Sequence, residues 1–350
     1  MKISQEQIRL CREFLNIIFP YHAASCVREN VLSKSRKDGV SVIIPCFNEE
    51  RYISRCADSV LAQHFSGELQ VIFIDDGSTD GTGRMLDAYA GDGRVKVIHQ
   101  ENRGFSGARN RGIEEADMKY LYFTDADDYL PDQNVIEDLY KIAENSGADI
   151  LEGATCNDDP ENVLDFSTGT DALLPLNTGI VAWGKLYNAR IFEKLIFPEN
   201  YWYEDTVIPL LAVPLAKKAL KTKRTCYVKT DSETSSSIHF PGQKKSLDQY
   251  YLLEIIKRDS RAMGIELSAE LYEAYLLMSA LTFHRTGLLG EEVCIAVFYL
   301  LSELIEESFP DCVTGNRFAG VLERAMRNGD YPMFKEGAII LARADAVRLL

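Results

Sequence analysis

The chain has 350 residues, 46% hydrophobic and 26% charged: enough for one large domain or two modest ones, and too apolar for a disordered tract. A net charge of -15 argues against a non-specific nucleic-acid binder, because nothing would offset phosphate repulsion. No stretch is long and apolar enough to span a bilayer, and eight scattered cysteines without a C-x-x-C pair speak against a zinc cage or a disulfide framework.

Reduced, mostly buried thiols in a cytoplasmic protein are the expectation. Lys2, Glu6, Arg9, Arg12 and Glu13 interrupt the N-terminus, so it does not read as a signal peptide. Ile3, Ile8, Leu10, Leu15, Ile17, Ile18 and Phe19 instead predict an amphipathic helix over 3–19, docked on the body of the protein. Ser33–Gly39 reads as a linker.

A regular alternation follows. Strands are predicted at 40–44, 69–74, 95–98, 120–123 and 149–152, with helices at 49–62, 80–90, 106–116 and 131–145 between them. This βαβα order implies an α/β fold, a mostly parallel sheet covered by helices on both faces. Ligands of such sheets sit at the carboxyl ends of the strands. The rhythm breaks near Asn157. From Lys245 the chain turns helical, with stripes at 247–263, 269–286, 291–307 and 318–327. The expected division is an N-terminal helical extension over 1–38, a domain over 39–240 and a helical C-terminal region over 241–350. The middle domain splits into a nucleotide half, 39–155, and an acceptor half, 156–240.

Four polar clusters fall where strands end. Pro45-Cys46-Phe47-Asn48-Glu49 offers a ring that can lie on a planar base, although Phe47 alone would read as core. Asp75-Asp76-Gly77-Ser78-Thr79-Asp80-Gly81 makes a tight turn whose carboxylate can accept from a base N–H or a ribose hydroxyl; alone, it could be a helix cap. The run from Glu101 to Gly112 carries Arg103, Arg109 and Arg111 into a helix, a ready anion site that lacks the dinucleotide fingerprint. Asp125-Ala126-Asp127-Asp128 crowds three carboxylates, which suits Mg2+ or Mn2+ shared with a diphosphate better than a solvated loop. An EF-hand is excluded by Leu130 and Ile136 at its glycine and glutamate positions. Together the four describe a metal–nucleoside-diphosphate site.

These motifs, in order and spacing over roughly 110 residues, resemble the inverting family-2 glycosyltransferases of the GT-A fold: VSVIIPCFNEE, VIFIDDGSTDGT, ENRGFSGARNRGIEEA and YLYFTDADDYLPD. The likeness continues through Trp183-Gly184-Lys185-Leu186-Tyr187 and Tyr203-Glu204-Asp205-Thr206. The resemblance implies a Rossmann-like sheet and a donor pocket built from Pro45, Phe47, Asn48, Glu49, Asp76, Asp125 and Ala126. Phe47 and Asp76 would contact the base and Asp125 ribose or sugar hydroxyls. Asp127, of the D-x-D motif, would ligate Mn2+ or Mg2+. Asp205 would be the catalytic base. Trp183 and Lys185 would border the sugar and phosphate end, and Arg109 would support the phosphate loop.

The implied reaction moves a sugar from a nucleoside diphosphate sugar, UDP-linked by expectation, to a hydroxyl of a saccharide or lipid-linked glycan. Bacterial surface polysaccharide assembly at the inner membrane face is the implied setting, with room for peripheral membrane contact and a homodimer. The alternative is a catalytically silent nucleotide-binding scaffold of the same fold, which intact Asp125, Asp127 and Asp205 disfavour. A nucleotidyltransferase would need a glycine- and lysine-rich loop that 45–50 lacks. Two departures stand out: Tyr227 to Ser235 offers only Lys229 where family members often carry arginine, and Phe47 replaces a frequent tyrosine. The five histidines form no ligand spacing. The basic run Lys217, Lys218, Lys221, Lys223 and Arg224 reads as a solvated surface rather than a lipid-facing one.

Overall fold

The computed structural model describes residues 4–158, 180–231 and 242–345. Part of the expected acceptor half, 159–179, and the stretch after Asp231 that reaches Ser235 lie outside them.

After α1 (Gln5–Ile18) the chain alternates through β1 (Lys37–Cys46), α2 (Ile53–Leu61), β2 (Glu68–Asp75), α3 (Thr82–Asp87), β3 (Val95–His99), α4 (Gly104–Glu115), β4 (Met118–Phe123), α5 (Val135–Ser146) and β5 (Ile150–Asn157). Two strands that the sequence pattern does not reveal complete the sheet: β6 (Lys185–Asn188) and β7 (Ala219–Lys229). The first is four residues long, too short to show a period. The second mixes Lys221, Lys223 and Arg224 into its run, as suits an edge strand.

The seven strands run in the order β3-β2-β1-β4-β6-β5-β7. Every pair is parallel except those made by β6, which is antiparallel to β4 and to β5. The fold is thus α/β of the GT-A type, a mostly parallel sheet flanked by helices. Side chains alternate across it. Val42 and Ile44 of β1 face α2 and α5, while Ile43 faces α4 and the core it shares with the helical region.

Helix α4 approaches the sheet closely because Gly112 has no side chain. A Cβ there would lie 2.3 Å from Cγ2 of Ile43. That contact fixes the height of Arg109, one turn earlier on the same helix.

The C-terminal helices are α6 (Asp248–Ala262), α7 (Ala269–Thr286), α8 (Glu291–Ser308), α9 (Ala319–Asn328) and α10 (Tyr331–Asp345). The first four fall close to the predicted stripes. They share one core with Ile8 and Leu15 of α1 and with Ile43, Leu121 and Phe123 of the sheet. Arg12 pairs with Glu303 at 2.5 Å, and Cys26 N–H donates to Asp259 at 2.6 Å. The N-terminal helix is therefore docked on the helical region. No described helix is long and apolar enough to cross a membrane. Of the basic run on and before β7, Lys218 donates to the Ser146 carbonyl, Lys221 pairs with Glu152, and Arg224 pairs with Asp132 and Asp138. Only Lys217 and Lys223 of the run stand exposed.

Candidate active site

The four polar clusters converge. Pro45, Phe47, Asn48, Glu49, Asp76, Asp125, Ala126, Asp127 and Trp183 line one cleft of about 750 Å³ at the carboxyl ends of β1, β2 and β4.

The first two loops are stitched together by polar side chains. Asn48, in the left-handed region at φ 57, accepts from Thr79 N–H at 2.8 Å and donates its own N–H to Ser78 Oγ at 3.1 Å. Glu50 accepts from Gly81 N–H at 2.7 Å, and Thr82 Oγ1 accepts from Glu49 N–H at 2.8 Å. With the backbone so held, Phe47 is 46% exposed, a ring kept out of the core and turned to the cleft. Asp76 accepts from Gln100 Nε2 at 2.7 Å and from Arg103 N–H at 2.9 Å, which ties the second loop to the third.

The acidic loop after β4 is fixed by Tyr227, in a role that the sequence does not reveal. The Tyr227 hydroxyl donates to Asp128 Oδ2 at 2.5 Å and accepts from Asp125 N–H at 3.1 Å. Thr230 N–H donates to the other Asp128 oxygen at 2.7 Å. Trp183 stacks on the Tyr227 ring, 4.3 Å between centroids and 9° between planes. Asp128 is thus the loop's anchor, which leaves Asp125 and Asp127 to the cleft. Sequence marks Tyr227 as the start of a segment that reaches Ser235, but only its position in space reveals that it holds the acidic loop.

Arg109 does not face the cleft. It is 3% exposed and sits behind it, donating to Glu204, to Asp205 at 3.3 Å and to Asp125 at 3.2 Å. Burial works against its charge, but Asp205, Glu204 and Asp125 together hold its proton affinity well above the ordinary value. Asp205 feels the reverse balance. Burial raises its pKa, Arg109 pulls it back, and Glu204 and Asp125 push it up again, to about 7. Its side chain keeps 18% of its surface. Lys185 is placed elsewhere: 2% exposed, it donates to the Val181 carbonyl at 2.8 Å and lies 3.4 Å from Glu152, so it does not line the cleft. Lys229 does line it, at the end of β7.

The cleft's carboxylates crowd one another. Burial and then Asp127, Asp125 and Asp80 raise Glu49 to about 8. Burial and then Asp127 and Asp125 raise Asp128 to about 8. Glu49 Oε2 is buried and has no hydrogen-bond partner among the described residues. No group of three or more His, Cys, Asp or Glu among them is arranged as a metal cage. The donor set fits a hard divalent cation held by one or two carboxylates and completed by phosphate oxygens. Asp127 is the residue that would hold it, with Asp125 beside it on the cleft wall.

Residues 41–195 match the family model described as Glycosyl transferase family 2. Among curated relatives, glycosyltransferase GlyA of Streptococcus pneumoniae serotype 4 is 31% identical over 211 residues, 54% of this chain and 30% of the relative. The uncharacterized glycosyltransferase EpsJ of Bacillus subtilis is 41% identical over 113 residues, 32% of each chain. The chain thus spans about a third of the length of each of these relatives. Among solved structures, S. aureus TarS 1–349 in complex with UDP-GlcNAc shares the fold at a TM-score of 0.57 and 19% identity, over 87% of this chain and 92% of that one.

Proposed function

Starting from a chain that belongs, through residues 41–195, to glycosyltransferase family 2, we propose that it is an inverting transferase with Asp205 as its base. The donor is a nucleoside diphosphate sugar, UDP-linked by first choice. The acceptor is a hydroxyl of a saccharide or a lipid-linked glycan.

The observation that carries this reading is the Arg109 fork. One guanidinium ties Asp125, on the cleft wall, to Asp205, the candidate base. A carboxylate raised to about 7 has the proton affinity a general base needs near neutral pH. In the proposed step the acceptor oxygen attacks the anomeric carbon from the face opposite the diphosphate. A C–O bond forms there, the bond to the diphosphate oxygen breaks, and the acceptor proton passes to Asp205. Phe47 would stack on the base and Asp76 would accept from it. Asp125 would hold ribose or sugar hydroxyls, and Trp183 would close the sugar end. A divalent cation at Asp127 would neutralise the charge on the leaving diphosphate. Most of the rate gain would come from positioning and preorganised electrostatics.

Arg109 and Lys185 need other roles than phosphate contact. The first organises carboxylates, and the second is committed to Glu152. Of the cations that line the cleft, Arg103 pairs with Glu199 and Lys245 donates to the Asn200 carbonyl, so Lys229 is the first choice to face the diphosphate. UDP is the first donor nucleotide to try because TarS was solved with UDP-GlcNAc on the same fold. As the setting we keep the assembly of bacterial surface polysaccharide at the cytoplasmic membrane face, on the strength of the family pattern.

The test is thermal stability against UDP, GDP, CDP and dTDP, each with and without Mn2+. A ligand at 100 times its Kd stabilises by about 2.7 kcal/mol. A metal-dependent rise with one nucleotide supports the reading and names the donor's base. No rise with any of them, in a folded protein, overturns it.

A further inference from the structure

The segment that delivers Asp205 is strained and is held from outside the sheet. Tyr203, two residues before Asp205, lies in the left-handed region at φ 65 and ψ 30, where a bulky L-residue is a genuine outlier. Asn200 sits there too, at φ 67. Such conformations are costly and persist only where surrounding structure over-determines them.

The helical region supplies that structure. Asn200 carbonyl accepts from Lys245 Nζ at 2.5 Å. Trp202 N–H donates to Asp248 Oδ2, in the first turn of α6, at 2.7 Å. Thr206 Oγ1 accepts from Gln249 Nε2 at 3.1 Å. Arg285, in the last turn of α7, lies 3.8 Å over the Tyr203 ring and donates to Gln249 Oε1. Lys245, Asp248, Gln249 and Arg285 thus grip 200–206 on both sides of the outlier, and Arg285 lies over the Tyr203 ring while also reaching Gln249.

We propose that Arg285 is a positioning residue for the catalytic base, holding the Tyr203 turn so that Glu204 and Asp205 meet Arg109. This rests on the reading of Asp205 as the base. Stacking of a guanidinium on an aromatic face is planar and directional, which an ammonium does not reproduce. Burial draws Arg285 down to about 10, so it stays charged at neutral pH, and its charge is felt by Tyr203, Asp205 and Glu204. The groups around Asp205 are then Arg109 from α4, Glu204 beside it, Asp125 from the acidic loop, Tyr187 from β6 and Arg285 from α7. The helical region thereby becomes part of the active-site framework rather than an appendage to it.

Two measurements on the full chain test this. The first compares wild type, Arg285→Lys and Arg285→Met in steady-state release of nucleoside diphosphate from a panel of sugar donors that carry the nucleotide named by the screen. The expected result for Arg285→Met is a fall in kcat of about tenfold or more, with donor KM within about threefold, and Arg285→Lys in between. The second needs no turnover. Trp183 and Trp202 are the only tryptophans, so a Trp183→Phe background leaves Trp202, next to Tyr203, as the sole indole emitter. There, Arg285→Met should roughly double acrylamide quenching of Trp202 relative to the Trp183→Phe parent, on the expectation that weakly tethered segments open locally.

Unchanged quenching overturns the clamp. Increased quenching with unchanged kcat overturns its catalytic role. A loss of nucleotide affinity that matches the loss of kcat also overturns it, because Arg285 would then support the whole cleft. A wild type inactive with every donor removes the assignment of Asp205 instead, and the quenching result still decides the clamp.

Discussion

Arg109 and Asp205 stand 96 positions apart in the chain and 3.3 Å apart in space, with the arginine almost wholly enclosed. The same guanidinium reaches Glu204 and Asp125, so one cation offsets three carboxylates, one of them on the cleft wall. Its removal leaves buried like charges facing one another. Arg109→Met should therefore destabilise the fold by about 3–5 kcal/mol, read as a lower urea midpoint at pH 7.5. At pH 5 the loss should shrink, because Asp205 is then protonated. A midpoint equal to wild type at both pH values would show that the carboxylates find other partners.

Asp205→Asn keeps the shape of the carboxylate and removes its basicity. Transfer should fall about 10²–10⁴-fold while nucleotide affinity, measured by calorimetry, stays within about threefold. In the wild type, kcat/KM should drop tenfold per pH unit below about 7, the value to which burial and the Glu204 and Asp125 charges raise Asp205. A flat acid limb down to pH 5, or loss of nucleotide binding in the folded variant, would move the base elsewhere.

Glu49 carries a raised pKa of about 8 and a buried oxygen without a described partner. A carboxyl whose folded pKa lies above its unfolded value favours folding through its protonated form. That contribution is present below about 4.5 and is lost as pH rises through about 8. Glu49→Gln should accordingly raise the melting temperature of metal-free protein at pH 8.5 and leave it unchanged at pH 4. Mn2+ should raise the melting temperature of the wild type more at pH 8.5 than at pH 6, because deprotonated carboxylates bind it better. Equal effects at both pH values would place Glu49 outside the charge cluster.

Gly112→Ala tests the seating of α4. Its Cβ would sit 2.3 Å from Ile43 Cγ2, well inside van der Waals contact, and both residues are deep in the core. Overpacking of this kind costs about 1–3 kcal/mol. Because Arg109 rides on the same helix, kcat should fall with it. Gly91→Ala, where a Cβ would meet nothing within 4 Å, is the control and should change neither stability nor kcat.

Much of the cleft is legible in the sequence. Phe47, Asp76, Asp125 and Asp127 each follow a strand within four residues, so short-range pattern places them at one sheet edge once the strands are parallel. The alternation of strand and helix, and the amphipathic stripes of 247–327, are likewise local properties of the chain. They were readable because hydrophobic period and turn chemistry act over a few residues.

What the tertiary structure alone decided is which distant groups share a charge or a contact. Lys185 belongs to a motif yet turns to Glu152, because β6 is inserted antiparallel between β4 and β5 and its alternation carries that side chain away from the cleft. Tyr227 lies on a strand that the sequence pattern does not reveal, yet its hydroxyl holds the acidic loop across 102 positions. Arg109 looks like part of an anion loop, yet the packing of Gly112 on Ile43 sets it among carboxylates instead. Sequence pattern determined five of the seven strands, most of the helices and the loops between them, because those depend on neighbours along the chain. The electrostatic state of the site depends on burial and on partners up to a hundred residues away, and only the packed fold supplies those.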